Sequence, residues 1–235
     1  MRLPVVLVHG VRTSRTMWRA QVEALERSGR TAVAVDLPGH GERLGEVFTV
    51  DGAVRAISDG VERVGGRAMV VGLSLGGYTG IAHAARHPEQ VAGLVAAGCC
   101  TRPRRALVEP WRWAVRGIGR LPDRGAGLNQ RMAELLLPAA GAVDVGAGGF
   151  ALHVMDDVLR EVGALRPTAD LRDVECPVWF VNGRYDHFRG EERRFLAAAR
   201  DGRLVVVPGA THLVSLVRPE RFVRVVLEAL DELER

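Results

Sequence analysis

The chain has 235 residues, of which 47% are hydrophobic, and this size is typical of a single α/β domain with a substantial core. Its net charge is +4 and all 32 basic residues are arginines, but they are scattered among acidic residues, so no basic stripe for nucleic acid is predicted. No apolar run reaches the length of a membrane span, and the residues before Val5 do not resemble a signal peptide. We expect the three cysteines to be reduced and mostly buried, and these features together predict a cytoplasmic protein.

The first two predicted strands are short apolar segments, each followed by a polar loop. Val5–Val8 is apolar throughout, as expected of a buried parallel strand, and His9-Gly10 ends it. Residues 16–27 have the apolar spacing of a helix. Residues 31–35 form the second predicted strand and residues 36–41 a turn after it.

A strand, a sharp turn and a helix surround Ser74. An amphipathic helix is predicted over residues 50–64, and an apolar strand follows over residues 68–71. A second helix is predicted over residues 78–86, so Ser74 stands at the apex of the turn between strand and helix. A non-glycine residue in such a turn is strained, and strain of this kind is concentrated at functional sites. The glycines two residues before and after the serine let the two arms approach closely.

The segment Gly72-Leu73-Ser74-Leu75-Gly76 resembles the nucleophile elbow of the α/β-hydrolase family, in the branch whose nucleophile is serine. The resemblance implies a mainly parallel sheet of about six strands, with helices on both faces and a helical cap inserted before the strand that carries the catalytic acid. It also implies that Ser74 is the nucleophile and that the backbone N–H groups of Val11 and Leu75 form the oxyanion hole. The polar residues of the early loops are then expected to be structural; they are His9, Asp36 and His40.

Two later turns supply the other catalytic residues that the resemblance implies. A buried strand over residues 178–181 leads into a turn in which Asp186 stands at the position of the family's catalytic acid. The last strand, residues 204–207, is followed by His212 at the position of the catalytic histidine. Serine, aspartate and histidine follow one another in the order typical of α/β-hydrolases. Because a serine hydroxyl is a weak nucleophile, it needs the imidazole as a general base, and the aspartate orients that imidazole.

Two histidines in and just after the helix that follows Ser74 have the spacing of metal ligands. His83 and His87 are four residues apart and would lie on one face of a helix. No third ligand accompanies them in the sequence. We therefore predict no metal site, and the resemblance implies no cofactor.

The sequence pattern changes between a predicted strand at Val91–Ala97 and the strand that precedes Asp186. The resemblance places a helical cap over residues 101–168, between core segments 1–100 and 169–235. The glycine-rich stretch 141–149 is predicted to be a loop or hinge. A cap of this kind covers the elbow and shapes the substrate pocket; its candidate substrate-binding residues are Trp111, Trp113, Phe150 and His153.

Arginines are concentrated at the start of the predicted cap. They could attract an anionic substrate or an acidic carrier protein, but a solvated arginine-rich face is the simpler interpretation and the one we favour. The oligomeric state stays open, because the two tryptophans of this region could form either a pocket wall or an interface. The arginines are Arg102, Arg104, Arg105, Arg112, Arg116, Arg120 and Arg124.

Three functions are compatible with this sequence. The favoured one is hydrolysis of a small-molecule carboxylic ester or thioester through an acyl-enzyme on Ser74. The alternative is a cofactor-independent lyase, cyclase or C–C bond hydrolase that uses His212 as general base. That alternative is prompted by the start of the sequence directly at the first parallel strand, a truncation similar to that of the hydroxynitrile lyase and methylesterase branch. A non-catalytic binding protein is disfavoured, because a pure binder would not need all three residues.

Overall fold

The structure is a computed structural model that describes residues 2–103, 105–118, 120, 123 and 125–235, with only the backbone described over 105–108. Its centre is a six-stranded sheet in the order β2-β1-β3-β4-β5-β6, and every strand pairing is parallel. The predicted α/β architecture is therefore confirmed. The strands are β1 (Val5–Val8), β2 (Ala32–Val35), β3 (Ala68–Leu73), β4 (Val91–Ala97), β5 (Val178–Gly183) and β6 (Gly202–Val207).

Helices cover both faces of the sheet, which explains why the central strands are apolar at consecutive positions. In β1, for example, Val6 and Val8 enter the hydrophobic core on one face, while Val5 and Leu7 enter the core on the other. The helices are α1 (Arg19–Arg27), α2 (Val50–Arg63), α3 (Leu75–Arg86), α4 (Arg105–Ile118), α5 (Ala126–Leu136), α6 (Ala139–Ala147), α7 (Met155–Val162), α8 (Pro167–Asp170), α9 (Glu192–Ala198), α10 (Val214–Val217) and α11 (Pro219–Leu233).

The register of the sheet brings the candidate catalytic loops to one edge. Val8 at the end of β1 pairs with Gly72 near the end of β3, and Gly183 at the end of β5 pairs with Val207 at the end of β6. Since the strands are parallel, the loops that leave their carboxyl ends emerge side by side. This edge is where open α/β sheets bind ligands.

The segment between β4 and β5 contains the helices α4 to α8, and it packs against both core clusters. Val154 and Val158 belong to one cluster, and Leu137, Ala142 and Val145 belong to the other. The segment is thus continuous with the core through its buried side chains. Its treatment as a separate cap over residues 101–168 stays a prediction, and the predicted basic residues Arg104 and Arg124 lie outside the described residues.

The prediction of a loop or hinge over residues 141–149 was wrong. Most of that stretch belongs to α6, which is followed by only two glycines. Packing overrides the weak helix propensity of glycine here, because Ala142 and Val145 are buried against the core. The helix is also tied to the loop before α1, where Thr16 Oγ1 donates to the Asp144 carbonyl at 2.6 Å.

The cysteines are free: Cys99 and Cys100 are buried and Cys176 is half-buried. None of the helices within the described residues is long and apolar enough to span a bilayer.

Candidate active site

Ser74 lies at the junction of β3 and α3 in a backbone conformation that few residues other than glycine adopt. Its φ is 55° and its ψ is −111°, and its N–H donates to the Ala97 carbonyl of β4 at 2.7 Å. The backbone strain is thus compensated by a contact to the neighbouring strand. The turn that the sequence predicts around this serine is present, although α3 begins at Leu75, three residues earlier than expected.

The two glycines that flank Ser74 are required by close contact between backbones. A Cβ at Gly72 would lie 2.1 Å from the Gly76 carbonyl oxygen, and a Cβ at Gly76 would lie 2.1 Å from the Val8 carbonyl oxygen. Neither neighbour can move away, because both are main-chain atoms. The elbow therefore packs against itself and against β1 only with glycine at both positions.

A chain of hydrogen bonds joins Ser74, His212 and Asp186. The Ser74 Oγ and His212 Nε2 atoms are 3.0 Å apart, and His212 Nδ1 is 3.0 Å from Asp186 Oδ1. The imidazole is 20% exposed, whereas the Asp186 side chain is fully buried. The structure thus brings together the three residues that the sequence analysis proposed from separate turns.

The Asp186 carboxyl group remains ionised despite its burial. Burial by itself would raise the pKa of this group, but hydrogen bonds from His212 and from the Phe188 N–H, together with the charge of His212, lower the pKa below its usual value. A carboxylate can only accept, so Nδ1 of His212 carries the proton and Nε2 is left to accept the Ser74 hydroxyl proton. This is the tautomer that a general base requires.

The loop after β1 lies directly beside the serine. A Cβ built on Gly10 would be 3.6 Å from the Leu73 carbonyl oxygen and 3.8 Å from Ser74 Cβ. Val11 follows in this loop, and Leu75 is the first residue of α3, where helix N–H groups have no partner within the helix. Both predicted oxyanion donors therefore belong to segments in contact with Ser74.

Two buried histidines hold this loop in place. His9 Nε2 accepts the Leu37 N–H at 3.0 Å and Nδ1 is 2.7 Å from the Gly10 carbonyl; His40 Nε2 accepts the Arg12 N–H at 3.3 Å. Burial lowers the pKa of His9 to about 4 and that of His40 to about 3, so both rings are neutral. Each acts as a fixed donor and acceptor, in keeping with the structural roles expected for them.

Asp36, the third polar residue of the early loops, is also occupied by structural contacts. Its carboxylate accepts the backbone N–H and the guanidinium of Arg15, both at 2.7 Å, and the Glu42 N–H at 3.1 Å. The carboxylate is thereby committed to fixing the turn after β2.

An aromatic cluster around His212 was not identified from the sequence. The rings of His187 and Phe188 lie with their centroids 5.2 Å and 4.7 Å from that of His212. The two residues directly follow Asp186, which was the available sequence signal. Burial and the nearby His212 lower the pKa of His187, although its side chain is 73% exposed. The cluster limits the orientations open to the His212 ring.

The loop that carries Asp186 is hydrogen-bonded to the segment that follows β4. The Tyr78 hydroxyl donates to the Thr101 carbonyl at 2.6 Å, and the Thr101 hydroxyl donates to the Phe188 carbonyl at 2.9 Å. Arg102 binds Glu191 through its backbone N–H at 2.7 Å and through its guanidinium, and this pairing lowers the pKa of Glu191 to about 2. Helix α3 and the loop that carries Asp186 are therefore linked by hydrogen bonds through Thr101.

Comparison with known proteins settles the family. The model of the alpha/beta hydrolase family matches residues 5–225. The chain belongs to the α/β hydrolase family. A constellation of serine, histidine and aspartate is typical of this family. Because the relatives of this chain also include esterases, the chain is an enzyme of hydrolase type.

The relatives of this hydrolase differ in the reactions that their names describe. It is 30% identical to the pimeloyl-[acyl-carrier protein] methyl ester esterase of Neisseria meningitidis, over 93% of this chain and 90% of that protein. Over 40% of this chain and 35% of the relative, it is 35% identical to the 2-hydroxy-6-oxononadienedioate/2-hydroxy-6-oxononatrienedioate hydrolase of Burkholderia vietnamiensis. Among solved structures, the malate-bound thermophilic esterase of Thermogutta terrifontis is 26% identical, with a TM-score of 0.81 and coverage of 99% and 91%.

The candidate substrate-binding residues of the predicted cap differ in their exposure and contacts. Trp111 and Trp113 are each 68% exposed, and the Arg116 guanidinium lies 5.3 Å from the Trp113 ring. Phe150 is half-buried against the core, and the exposed His153 has Nε2 3.1 Å from the Leu44 carbonyl. The structure gives neither indole a buried position, so the role of these four residues in substrate binding stays a prediction.

Among the arginines at the start of the predicted cap whose side chains the structure describes, Arg102, Arg112 and Arg116 are paired with carboxylates. Arg112 binds Asp156 at 2.8 Å and Glu109 at 2.6 Å, and Arg116 binds Asp156 at 3.1 Å. Arg102 is paired with Glu191 as described above. These ion pairs reduce the positive charge that this face presents to a ligand.

A cavity of about 520 Å³ lies beside the edge strand β2, away from Ser74. None of Ser74, Asp186 and His212 lines this cavity. Its charged lining residues have both signs; these are Arg15, Asp36, Glu42, Arg43, Asp59 and Arg63.

His83 and His87, the histidines with metal-ligand spacing, stay a pair in the described part of the chain. Within the residues that the structure describes, no group of three or more His, Cys, Asp or Glu side chains is placed to hold a metal. Burial lowers the pKa of His83 to about 4, so its ring is neutral and is packed as an apolar group.

Proposed function

We propose that this hydrolase cleaves a carboxylic ester or thioester through an acyl-enzyme on Ser74. The observation that carries the proposal is the continuous pair of 3.0 Å contacts from Ser74 to His212 and from His212 to Asp186. The buried carboxylate that holds the histidine is ionised, and the histidine presents its acceptor nitrogen to the serine. These are the conditions that activate a serine hydroxyl.

In the first half-reaction, Ser74 Oγ attacks the carbonyl carbon of the substrate while His212 Nε2 takes the hydroxyl proton. Asp186 stabilises the resulting imidazolium and keeps it oriented. The N–H groups of Val11 and Leu75 bind the oxyanion of the tetrahedral intermediate; in general, losing one such donor lowers the rate by about 10²- to 10³-fold. The imidazolium then protonates the leaving alkoxide or thiolate, which departs as an alcohol or thiol.

In the second half-reaction, water takes the place of the serine as nucleophile. His212 accepts a proton from the water as it attacks the acyl-enzyme carbonyl, and the same two N–H groups bind the second oxyanion. Collapse of this intermediate breaks the bond to Ser74 Oγ, which recovers its proton from His212. The products are a carboxylic acid and the unchanged enzyme.

A substrate attached to an acidic carrier protein is supported by four relatives of this chain, whereas the ion pairs on its own surface argue against it. The Neisseria relative is an esterase of a pimeloyl-[acyl-carrier protein] methyl ester. In this chain, however, Arg112 and Arg116 are already bound to Asp156. A free small-molecule ester is therefore the first substrate class to test, and a carrier-bound ester the second.

A second candidate function is C–C bond hydrolysis or a related lyase reaction with the same three residues. It is favoured by the similarity to the Burkholderia hydrolase of a 2-hydroxy-6-oxo dienedioate, which covers 101 aligned residues. In this reaction His212 would act as the general base and no ester would be broken. It predicts weak esterase activity and a greater dependence on His212 than on Ser74.

The deciding experiment measures hydrolysis of p-nitrophenyl esters and acyl thioesters of increasing chain length by the wild-type enzyme and Ser74→Ala. The proposal expects turnover that is lost in Ser74→Ala, together with labelling of Ser74 by a serine-reactive phosphonate that mass spectrometry detects. A folded protein with neither turnover nor label would contradict the ester and thioester proposal. In that case, Ser74→Ala and His212→Ala would be compared on dienedioate substrates.

A further inference from the structure

Arg12 shares an unusual backbone conformation with the nucleophile. Among the described residues, Arg12 at φ 68° and Ser74 at φ 55° are the two non-glycine residues with positive φ. Arg12 directly follows Val11 in the loop after β1, and that loop contacts the elbow at Gly10. Strained residues of this kind are retained where the surrounding structure fixes them for a function.

The backbone of Arg12 is held at the seam between the core and the cap segment. Its N–H donates to His40 Nε2 at 3.3 Å, and its carbonyl accepts the Ala151 N–H at 3.2 Å. One contact comes from the core and the other from the segment between α6 and α7. The starting direction of the side chain is therefore fixed next to the oxyanion loop.

The guanidinium of Arg12 has an amide as its partner rather than a carboxylate. Its Nη1 donates to Asn129 Oδ1 of α5 at 2.9 Å. In the described part of the chain, no carboxylate lies within ion-pair distance of it, whereas the nearby Arg15 is bound to both Asp36 and Glu42. A guanidinium has five N–H donors, so most of the hydrogen-bonding capacity of Arg12 is left for a ligand.

The surroundings of Arg12 remove only part of its hydration, and within the described residues they supply no carboxylate as a counter-charge. Burial lowers the pKa of Arg12, although the residue is exposed enough for a ligand to reach it. Every other arginine of the described residues with a shifted pKa has it raised, and each has a carboxylate partner: Arg15, Arg30, Arg43, Arg112, Arg189 and Arg203. A partly desolvated cation with no anion beside it favours binding of one.

We propose that Arg12 binds a carboxylate of the substrate, so that the preferred substrate is an ester or thioester with a carboxylate a few bonds from the scissile carbonyl. The planar guanidinium fork matches a carboxylate with two parallel hydrogen bonds. Arg12 follows the proposed oxyanion donor Val11 in the loop after β1, so the proposal assigns it a carboxylate of the substrate itself. This inference rests on the proposed ester or thioester hydrolysis at Ser74.

The kinetic test compares charged and neutral esters of equal length. The mono-p-nitrophenyl esters of succinic, glutaric and adipic acid are paired with p-nitrophenyl butyrate, pentanoate and hexanoate. A second arm places the carboxylate in the alcohol part, with butyryl glycolate against ethyl butyrate. We expect a higher kcat/KM for the charged ester in at least one arm, and Arg12→Gln to reduce that value by about 10- to 100-fold, as for one charge-assisted pair. The neutral ester should change by less than about threefold.

Two variants separate recognition by Arg12 from general effects. Arg12→Lys keeps the charge but loses the fork, so it should retain part of the preference. Arg131→Gln removes one exposed positive charge from α5, the helix that carries Asn129, and should leave the preference intact. Equal preference for charged and neutral esters in both arms would overturn the inference. So would an equal loss on both ester types in Arg12→Gln, because Arg12 would then serve only the loop.

A binding measurement keeps this inference independent of turnover. Calorimetric titration of Ser74→Ala with monomethyl glutarate should give binding that methyl pentanoate does not show. The double variant Ser74→Ala with Arg12→Gln should lose it. If wild type hydrolyses no ester but this binding is present, the proposed chemistry fails while the carboxylate subsite stands. If esters are hydrolysed and the anion does not bind selectively, only the subsite fails.

Discussion

Gly98, the residue after β4, lies directly against the imidazole of His212. A Cβ built on Gly98 would be 3.2 Å from Nδ1 and from Cε1 of that ring, and 3.2 Å from Asp186 Oδ2. The φ of Gly98 is +59°, so the backbone also favours glycine at this position. The strand next to the elbow thus provides the wall against which the His212–Asp186 pair is aligned.

Replacement of Gly98 by alanine should therefore impair catalysis more than folding. The methyl group would push the imidazole away from Ser74, and displacements of about 1 Å in such a pair lower kcat by roughly 10- to 100-fold. The strained φ should cost about 1 kcal/mol of unfolding free energy. We would measure kcat on the best p-nitrophenyl ester and the urea midpoint. Gly45→Ala is the control, because nothing lies within 4 Å of its Cβ; equal effects of the two variants would refute the alignment role of Gly98.

Asp186→Asn should abolish most of the activity while leaving the fold intact. The amide is nearly the same size as the carboxylate, but it cannot stabilise an imidazolium and favours the wrong tautomer of His212. We expect kcat to fall by on the order of 10³- to 10⁴-fold. Asp201→Asn, at a half-exposed position paired with Arg203, should change kcat little. A loss of less than tenfold in Asp186→Asn would show that this carboxylate does not assist His212.

Acid should destabilise the protein through its buried neutral histidines. In the unfolded chain His83 titrates near 6.5, whereas burial lowers its pKa to about 4 in the folded protein. Between these values the unfolded chain binds more protons, so stability is lost as the pH falls from about 6.5 to about 4. A difference of this size amounts to about 3 kcal/mol at most for each such residue, and His9 adds to it.

The His83→Leu variant tests this explanation. Leucine fills a buried site without a titratable group, so the variant should lose less stability than wild type between pH 7.5 and pH 5. The measurement is the free energy of unfolding in urea at both pH values, with His153→Gln as the control at an exposed position. An unchanged pH dependence in His83→Leu would show that other groups dominate acid unfolding.

The strands and the close approach of Ser74, Asp186 and His212 could be predicted from the sequence, the strands from local apolar runs and the three residues from the family resemblance. Val5–Val8 and Val91–Ala97 are uninterrupted apolar runs, and both strands have the predicted bounds. The turn at Ser74 is encoded by glycines at fixed offsets, whose necessity is seen in the overlaps that any Cβ would make. Asp186 and His212 were identified through the resemblance to the α/β-hydrolase family, in which serine, acid and histidine follow one another in this order, each in a turn after a strand.

The features that could not be predicted depend on contacts between distant segments. His187 and Phe188 gain their significance only when the loop after β5 is folded against His212. Arg12 cannot be told apart from the other arginines in the sequence; the structure distinguishes it by its positive φ and by the absence, within the described residues, of a carboxylate beside its guanidinium. The helix α6 was predicted to be a loop because two of its nine residues and both residues after it are glycine, and only its packing against the core explains why it is helical.

Since α6 is helical in spite of its glycines, replacing one of them by a better helix former should stabilise the protein. A Cβ at Gly141 would lie 3.6 Å from Leu216 Cβ and 3.8 Å from Leu137 Cβ, which are ordinary contact distances. Gly141→Ala should therefore raise the free energy of unfolding by about 0.5–1 kcal/mol, because alanine favours the helix and restricts the unfolded chain. The expected gain in melting temperature is about 1–4 °C.

A glycine-to-alanine substitution at another position should lower the free energy of unfolding instead of raising it. Gly39 has a φ of +76°, and its Cβ would lie 2.3 Å from Val154 Cγ1, so Gly39→Ala should lower the unfolding free energy by about 1–3 kcal/mol. Differential scanning calorimetry of the two variants beside wild type gives both signs in one experiment. A destabilised Gly141→Ala would mean that α6 is packed too tightly to accept a methyl group, and its glycines would then be required by close packing rather than tolerated.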